Sequence, residues 1–288
     1  MHPDDWYPDD RYPNERNRGT AWRGKIVSEQ SMSAGPNYKT PTALWLDLSP
    51  SLGIFHQPLL RVLRRQECVA QWRYRQDADE SGALEPAIAL LHEYVSHLPK
   101  PVHLIGHGTS GTVGLLYARR FPERVRSLTL LGVGVQPAVD WHAHYYAVRE
   151  LMPCSREMVL AQMAGTLFGD EVRTRVRLLV SMLEQDLDLA ASPHSLWQRE
   201  RIPIGGVPVP LLTCGSADDA IVDPGALRAW ETYFKPGDRR WECPSGRHFF
   251  HYRLPHCVDA TIKAFWQSLA DRACLGRRFA DVQDRTAV

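Results

Sequence analysis

The segment Val102-His103-Leu104-Ile105, followed by Gly106-His107-Gly108-Thr109-Ser110-Gly111 and then by Val113 to Phe121, constrains this chain more than any other. A short buried-type run, a turn of small residues and a helical run predict a strand that passes through a tight turn straight into a helix. The same alternation recurs on both sides. Ala43-Leu44-Trp45-Leu46 reads as a strand stopped by Asp47-Leu48-Ser49-Pro50, residues 57–65 as a helix rich in Leu and Arg, and Cys68 to Trp72 as the next strand. Leu84, Ala87, Ile88, Leu91, Val95 and Leu98 recur at the three- and four-residue spacing of a helix packed on a sheet, which Pro99 and Pro101 end. Leu128 to Leu131 gives a further strand. Strands alternating with helices predict an α/β fold with a mostly parallel central sheet and helices on both faces.

Between residues 136 and 206 the alternation stops. HAHYYAVRELM, SREMVLAQMAGTLFG and EVRTRVRLLVSMLEQDLDL are three helical patterns in succession, and they predict an inserted helical cap. The βα pattern resumes at Val209 to Thr213, continues through a helix at 224–234 and a strand near Trp241, and closes with a helix from Val258 to Leu269. The core is thus expected over 42–135 and 207–270. Residues 1–41 form a tail and lead-in, in which 1–20, rich in Pro, Asp, Arg and Asn without apolar periodicity, are expected to be disordered. Residues 271–288 are expected to be a polar, frayed C-terminal tail.

Composition narrows the partners. Lys and Arg number 34 against 33 Asp and Glu, a net charge of +1, so no bulk field exists to hold nucleic acid or an anionic membrane. No stretch approaches the roughly 18 apolar residues of a membrane span. The first residues, MHPDDWYPDD, are acidic and lack an apolar segment, unlike a secretory signal. Cys68, Cys154, Cys214, Cys243, Cys257 and Cys274 show no paired spacing, so the expectation is reduced thiols and a cytoplasmic location.

In this order, three segments resemble the α/β-hydrolase superfamily over roughly residues 42–270. VHLIGHGTSGTVGLLYARRFPERVRSLTLL resembles the strand, nucleophile elbow and helix of that family; PVPLLTCGSADDAIVDP resembles its acid loop; SGRHFFHYRLP resembles its histidine loop. Aligned by its strand, the chain is similar to a divergent member with glycine, Gly108, in place of the nucleophilic serine. A glycine has no side chain to attack a carbonyl. The resemblance implies His248, seven residues before Pro255, as the base and Asp218 as the acid that orients it, with Asp219 adjacent as the other choice. Ser110 is the alternative nucleophile, because Gly108-Thr109-Ser110 also reads G-x-S. The resemblance implies the amides of Thr109 and Ser49 at the oxyanion positions, where Asp47 either opposes a developing negative charge or points away.

Other constellations are weaker. His142, His144, His248, His251 and His256 show no metal-ligand spacing, so no metal is expected. Residues 106–111 read G-x-G-x-x-G, but the strand that should carry a ribose-binding acid reads LTLLGVGV, so no dinucleotide and no other cofactor is expected. Met152, Met158, Met163, Leu167, Phe168, Leu178 and Met182 suit either a lipophilic ligand or packing of the cap on the core. The resemblance therefore implies a non-hydrolytic binding or regulatory module for a small lipophilic molecule or a protein partner. One alternative is a hydrolase of a small or lipophilic ester or amide using Ser110 or a water activated by His248. The other is base-only lyase or oxygenase chemistry by a His248–Asp218 dyad.

Overall fold

The computed structural model describes residues 40–76, 83–169, 172–195, 197–198 and 200–286, the side chains of 172–174 and of 275–286 apart. The tail expected over residues 1–20 lies outside the described residues. Strands β1 (Ala43–Asp47), β2 (Val69–Arg73), β3 (Val102–His107), β4 (Val125–Leu131), β5 (Leu211–Ser216) and β6 (Arg239–Cys243) form one sheet in the order β2-β1-β3-β4-β5-β6. Each neighbouring pair is parallel, as the βα alternation requires.

The central strands are buried on both faces, which is why their sequences are near-continuous apolar runs rather than alternations. Residues on one face, Leu44, Leu46, Leu104, Leu128 and Leu130, pack with α2 (Glu85–Ser96) and α3 (Thr109–Arg120). Residues on the other face, Ala43, Trp45, Ile105 and Leu131, pack with α1 (Gln57–Leu63) and α9 (Pro255–Thr286). Each fully buried leucine contributes about 2–3 kcal/mol of apolar transfer.

Helices α4 (Trp141–Leu151), α5 (Arg156–Phe168) and α6 (Val172–Leu189) lie between β4 and β5 in the chain. The Asp140 carboxylate caps α4 by accepting from the Ala143 amide, and the Ser155 hydroxyl caps α5 by accepting from the Met158 amide. Their apolar faces meet Leu52 and Phe55 from a 3-10 turn at Pro50–His56, Ile221 and Val222 after β5, and Phe249 after β6. All of these follow the carboxyl ends of strands, the edge where open α/β sheets bind ligands. Of the Met- and Leu-rich set, Met163, Leu167 and Phe168 are buried in this core, whereas Met152, Met158 and Leu178 face outward.

Three boundaries differ from those expected. Strand β4 starts at Val125 rather than Leu128, because buried Ser127 is satisfied by a 2.6 Å hydrogen bond with His103 Nδ1 and so tolerates a strand interior. The helix expected at 224–234 divides into α7 (Pro224–Arg228) and a 3-10 turn, Ala229–Tyr233. Helix α9 runs to Thr286 instead of stopping near Leu269 in a frayed tail; extending a nucleated helix through Leu269, Ala270, Arg272 and Ala273 costs little. Among the described residues no helix is long and apolar enough to cross a membrane, and none of the six cysteines forms a disulfide.

His103 makes this fold acid-sensitive. Burial against Trp266, with Arg126 adding in the same direction, lowers its pKa from 6.5 to about 3. The unfolded chain therefore takes up a proton as pH falls through about 6.5 while the native state does not. The His103 contribution is complete above that value and declines as pH falls toward 3, by about 1.4 kcal/mol per pH unit. At about pH 5 the loss is about 2 kcal/mol. Denaturant melts of the unmutated protein and of His103→Asn at about pH 7.5 and pH 5 should differ by this amount in their pH dependence; equal dependences would show that His103 titrates alike in both states.

Candidate functional site

Strand β3 ends at His107 and α3 begins at Thr109, so Gly108 makes the whole turn, with φ +52° and ψ −129°. That conformation is strained for any residue bearing a side chain. A Cβ on Gly106 would lie 2.6 Å from the Gly111 backbone, and one on Gly111 would lie 2.7 Å from Val133 Cγ2. Two of the three glycines in the G-x-G-x-x-G pattern are thus accounted for by the close approach of strand and helix.

The acid partner of the histidine is Asp219, which corrects the expected Asp218. His248 Nδ1 lies 2.9 Å from Asp219 Oδ2, and both side chains are buried. The other Asp219 oxygen accepts from the amides of Ile221 and Val222. Asp218 instead folds back within the turn, accepting from the Ser216 hydroxyl at 2.6 Å and the Arg247 amide at 2.8 Å. Burial alone would raise the Asp218 carboxyl, but those hydrogen bonds and the Arg247 guanidinium hold it below the ordinary value. Adjacent side chains leave a tight turn in different directions, so a one-residue choice decides which carboxylate goes inward.

Facing the dyad is Gly108. A Cβ built there would sit 3.8 Å from His248 Nε2, an ordinary van der Waals distance, and this buried Nε2 has no hydrogen-bond partner among the described residues. Ser110 is not brought to the histidine, which corrects its reading as an alternative nucleophile. It is the second residue of α3, and its Oγ accepts from the Leu48 amide at 2.9 Å, tying the helix to the loop after β1. Asp47 points away: its Oδ2 accepts from Gln71 Nε2 at 2.8 Å and pairs with Arg73 at 3.4 Å on β2.

Ser49, Leu52, His56, His107, Gly108, Thr109, Trp141, His248 and Phe249 bound a cavity of about 10 Å³, the volume of one water position. Both expected oxyanion residues, Ser49 and Thr109, are on its wall. As the first residue of α3, Thr109 has an amide without an acceptor inside the helix, and the helix dipole adds to its attraction for negative charge. Its hydroxyl donates to Asp140 Oδ2 at 2.7 Å, which joins the elbow to the start of α4. The arrangement can remove a proton and stabilise a developing anion. It offers no side-chain nucleophile at the elbow.

Sequence reasoning missed His56 and His107. His107 Nε2 donates to the His248 carbonyl at 3.0 Å, and His56 Nδ1 and His251 Nε2 share a hydrogen bond of 2.9 Å. Burial lowers the pKa of all three, and neighbouring imidazoles push His107 and His251 further down, while Asp47 and Asp186 partly offset the effect at His56. The three rings are neutral at physiological pH. Only the position of His107 beside Gly108 marked one of them. Of the other histidines considered, His142 pairs with buried Asp186 at 3.3 Å, His144 bonds the Asp140 carbonyl, and His256 is exposed.

The parallel sheet, the glycine turn from β3 into α3 and the acid–histidine pair after β5 and β6 define an α/β-hydrolase fold. The fold is shared with a thermophilic esterase from Thermogutta terrifontis at a TM-score of 0.59 and 16% identity, over 81% of this chain and 91% of that one. It is shared too with the enol-lactonase from Burkholderia xenovorans LB400, at 0.57 and 14%, over 81% and 94%. No protein-family model matches the chain. The "Uncharacterized protein alr2406" of Nostoc sp. is 44% identical over 224 residues, 78% of this chain and 90% of that protein, and the chain belongs to its family.

Proposed function

We propose that this protein uses the α/β-hydrolase scaffold without a covalent nucleophile: His248, oriented by Asp219, acts as a general base on a small molecule seated between Gly108 and the Thr109 amide. The observation that carries this reading is the buried, unpartnered Nε2 of His248 aimed at the side-chain-free elbow. An unsatisfied buried ring nitrogen costs about 1–3 kcal/mol, a cost that a proton-transfer role explains. The proton removed belongs to water or to the ligand itself, and a general base of this kind contributes about 10²–10⁴ in rate.

One observation favours a second reading, a binding or regulatory module without chemistry. The cavity, with Trp141 and Phe249 on its wall, has a volume of only about 10 Å³, room for about one water. Small activated esters and a fluorophosphonate probe separate the readings. General-base action predicts no covalent adduct on the unmutated protein, with slow turnover that survives Ser110→Ala and falls at least 10-fold in His248→Gln. No turnover above background favours the binding module; an adduct on Ser110 overturns both.

A further inference from the structure

Beneath the cavity, three imidazoles from separate elements converge. His56 ends the 3-10 turn after β1, His107 ends β3 and His251 lies in α8 (Phe250–Arg253); each offers a ring nitrogen within 4.8 Å of the other two, and all three are buried. We propose that His56, His107 and His251 bind one divalent first-row cation of the zinc type at the cavity floor. Three neutral imidazoles are the donor set such ions take in sites that keep a fourth position open. His56 and His107 also line the cavity, together with Gly108 and His248.

Two further observations support the site. His107 already donates one ring N–H to the His248 carbonyl, the kind of outer contact that orients a metal-binding imidazole and leaves its other nitrogen available. The second is charge. Asp47, Asp140, Asp186 and Asp219 are buried, Asp47 and Asp186 close enough to act on His56, Asp140 bonded to Thr109 and Asp219 to His248. Among their described partners only Arg73, beside Asp47, is a permanent cation; Asp186 is met by Ser51 and His142, Asp140 by Thr109, His194 and the Ala143 amide, and Asp219 by His248 and the Ile221 and Val222 amides. Buried carboxylates are costly without a compensating cation, and a dication among the three histidines supplies one. The 2.9 Å between His56 Nδ1 and His251 Nε2 is a proton-shared distance. Two nitrogens on a tetrahedral ion with bonds near 2.0–2.1 Å stand about 3.3 Å apart. Loading therefore opens the pair by a few tenths of an ångström and moves one ring proton to the opposite nitrogen, with no net proton release.

The inference does not depend on His248 acting as a base. The test uses the full-length, untagged protein after chelator treatment, titrated with Co²⁺ and with Zn²⁺. One ion per chain should survive gel filtration, with visible Co²⁺ absorption of a low-symmetry nitrogen site and a raised thermal midpoint. His56→Gln and His251→Gln should each weaken binding about 100-fold or more, beyond the 10–100-fold typical of outer contacts. His144→Gln and His248→Gln should leave the stoichiometry unchanged. Should the core variants fail to fold, the Co²⁺ spectrum of the unmutated protein decides. Absence of ligand-field bands, or binding that His56→Gln leaves intact, overturns the proposal.

Discussion

Gly108→Ser is expected to give an esterase that forms a covalent adduct with fluorophosphonates. The new Cβ starts 3.8 Å from His248 Nε2, which brings a serine hydroxyl within hydrogen-bonding reach of the base without a clash. The elbow dihedrals cost a non-glycine residue about 1–3 kcal/mol, which a stable fold absorbs. Losing the nucleophile from an intact triad costs about 10⁶ in kcat. A poorly placed oxyanion donor costs about 10²–10³, so the gain over the Gly108 parent should be at least about 10³. Within this variant, Asp219→Asn should remove essentially all of the new activity, since losing the triad acid costs about 10⁴, whereas Asp218→Asn should leave it within a few-fold. A folded Gly108→Ser protein that neither labels nor turns over small esters would show that His248 is not productively aimed, and would leave the binding-module reading standing.

The second large effect is structural. Gly106→Ala should cost about 3 kcal/mol or more, the upper end for overpacking, because its Cβ would lie 2.6–2.7 Å from backbone atoms of Ser110 and Gly111. Both sides of that contact are fixed: Gly106 is paired to β1 and β4, and Gly111 is in the first turn of α3. Gly165→Ala, in the last turn of α5 with no described atom outside the helix's own backbone within 4 Å of the new methyl, should instead stabilise by about 0.5–1 kcal/mol. Urea midpoints for the two variants test the pair, and similar values would mean that β3 and α3 separate more easily than their packing indicates.

The order of elements was legible because the physics behind it is local or nearly so. Runs such as Ala43 to Leu46 and Leu128 to Leu131 have a strand's length and the apolarity of double burial, and Ala87, Ile88, Leu91 and Val95 carry the period of a helix facing a sheet. The tight turn at Gly108 was legible as well, since an apolar strand run precedes it and small residues and a helical run follow it. Asp218 against Asp219 was not, because two neighbouring carboxylates are equivalent until the turn after β5 chooses which one goes inward. The role of Ser110 was hidden for the same reason: its acceptor contact with the Leu48 amide joins residues 62 apart in the chain.

Sequence by itself determined the parallel sheet, the run of helices between β4 and β5 and the glycine turn from β3 into α3. Each is written in periodicity, in turn chemistry or in the identity of a single residue. Tertiary structure alone decided that Asp219 holds His248, that Asp47 turns toward β2, and that His56, His107 and His251 meet below the cavity. Those three histidines come from segments about 50 and 140 residues apart, and no local pattern encodes their meeting. They converge because β1 and β3 are hydrogen-bonded neighbours, while α8 packs against the turn that follows β1. Chain pattern sets which elements form; only their packing sets which side chains share a site.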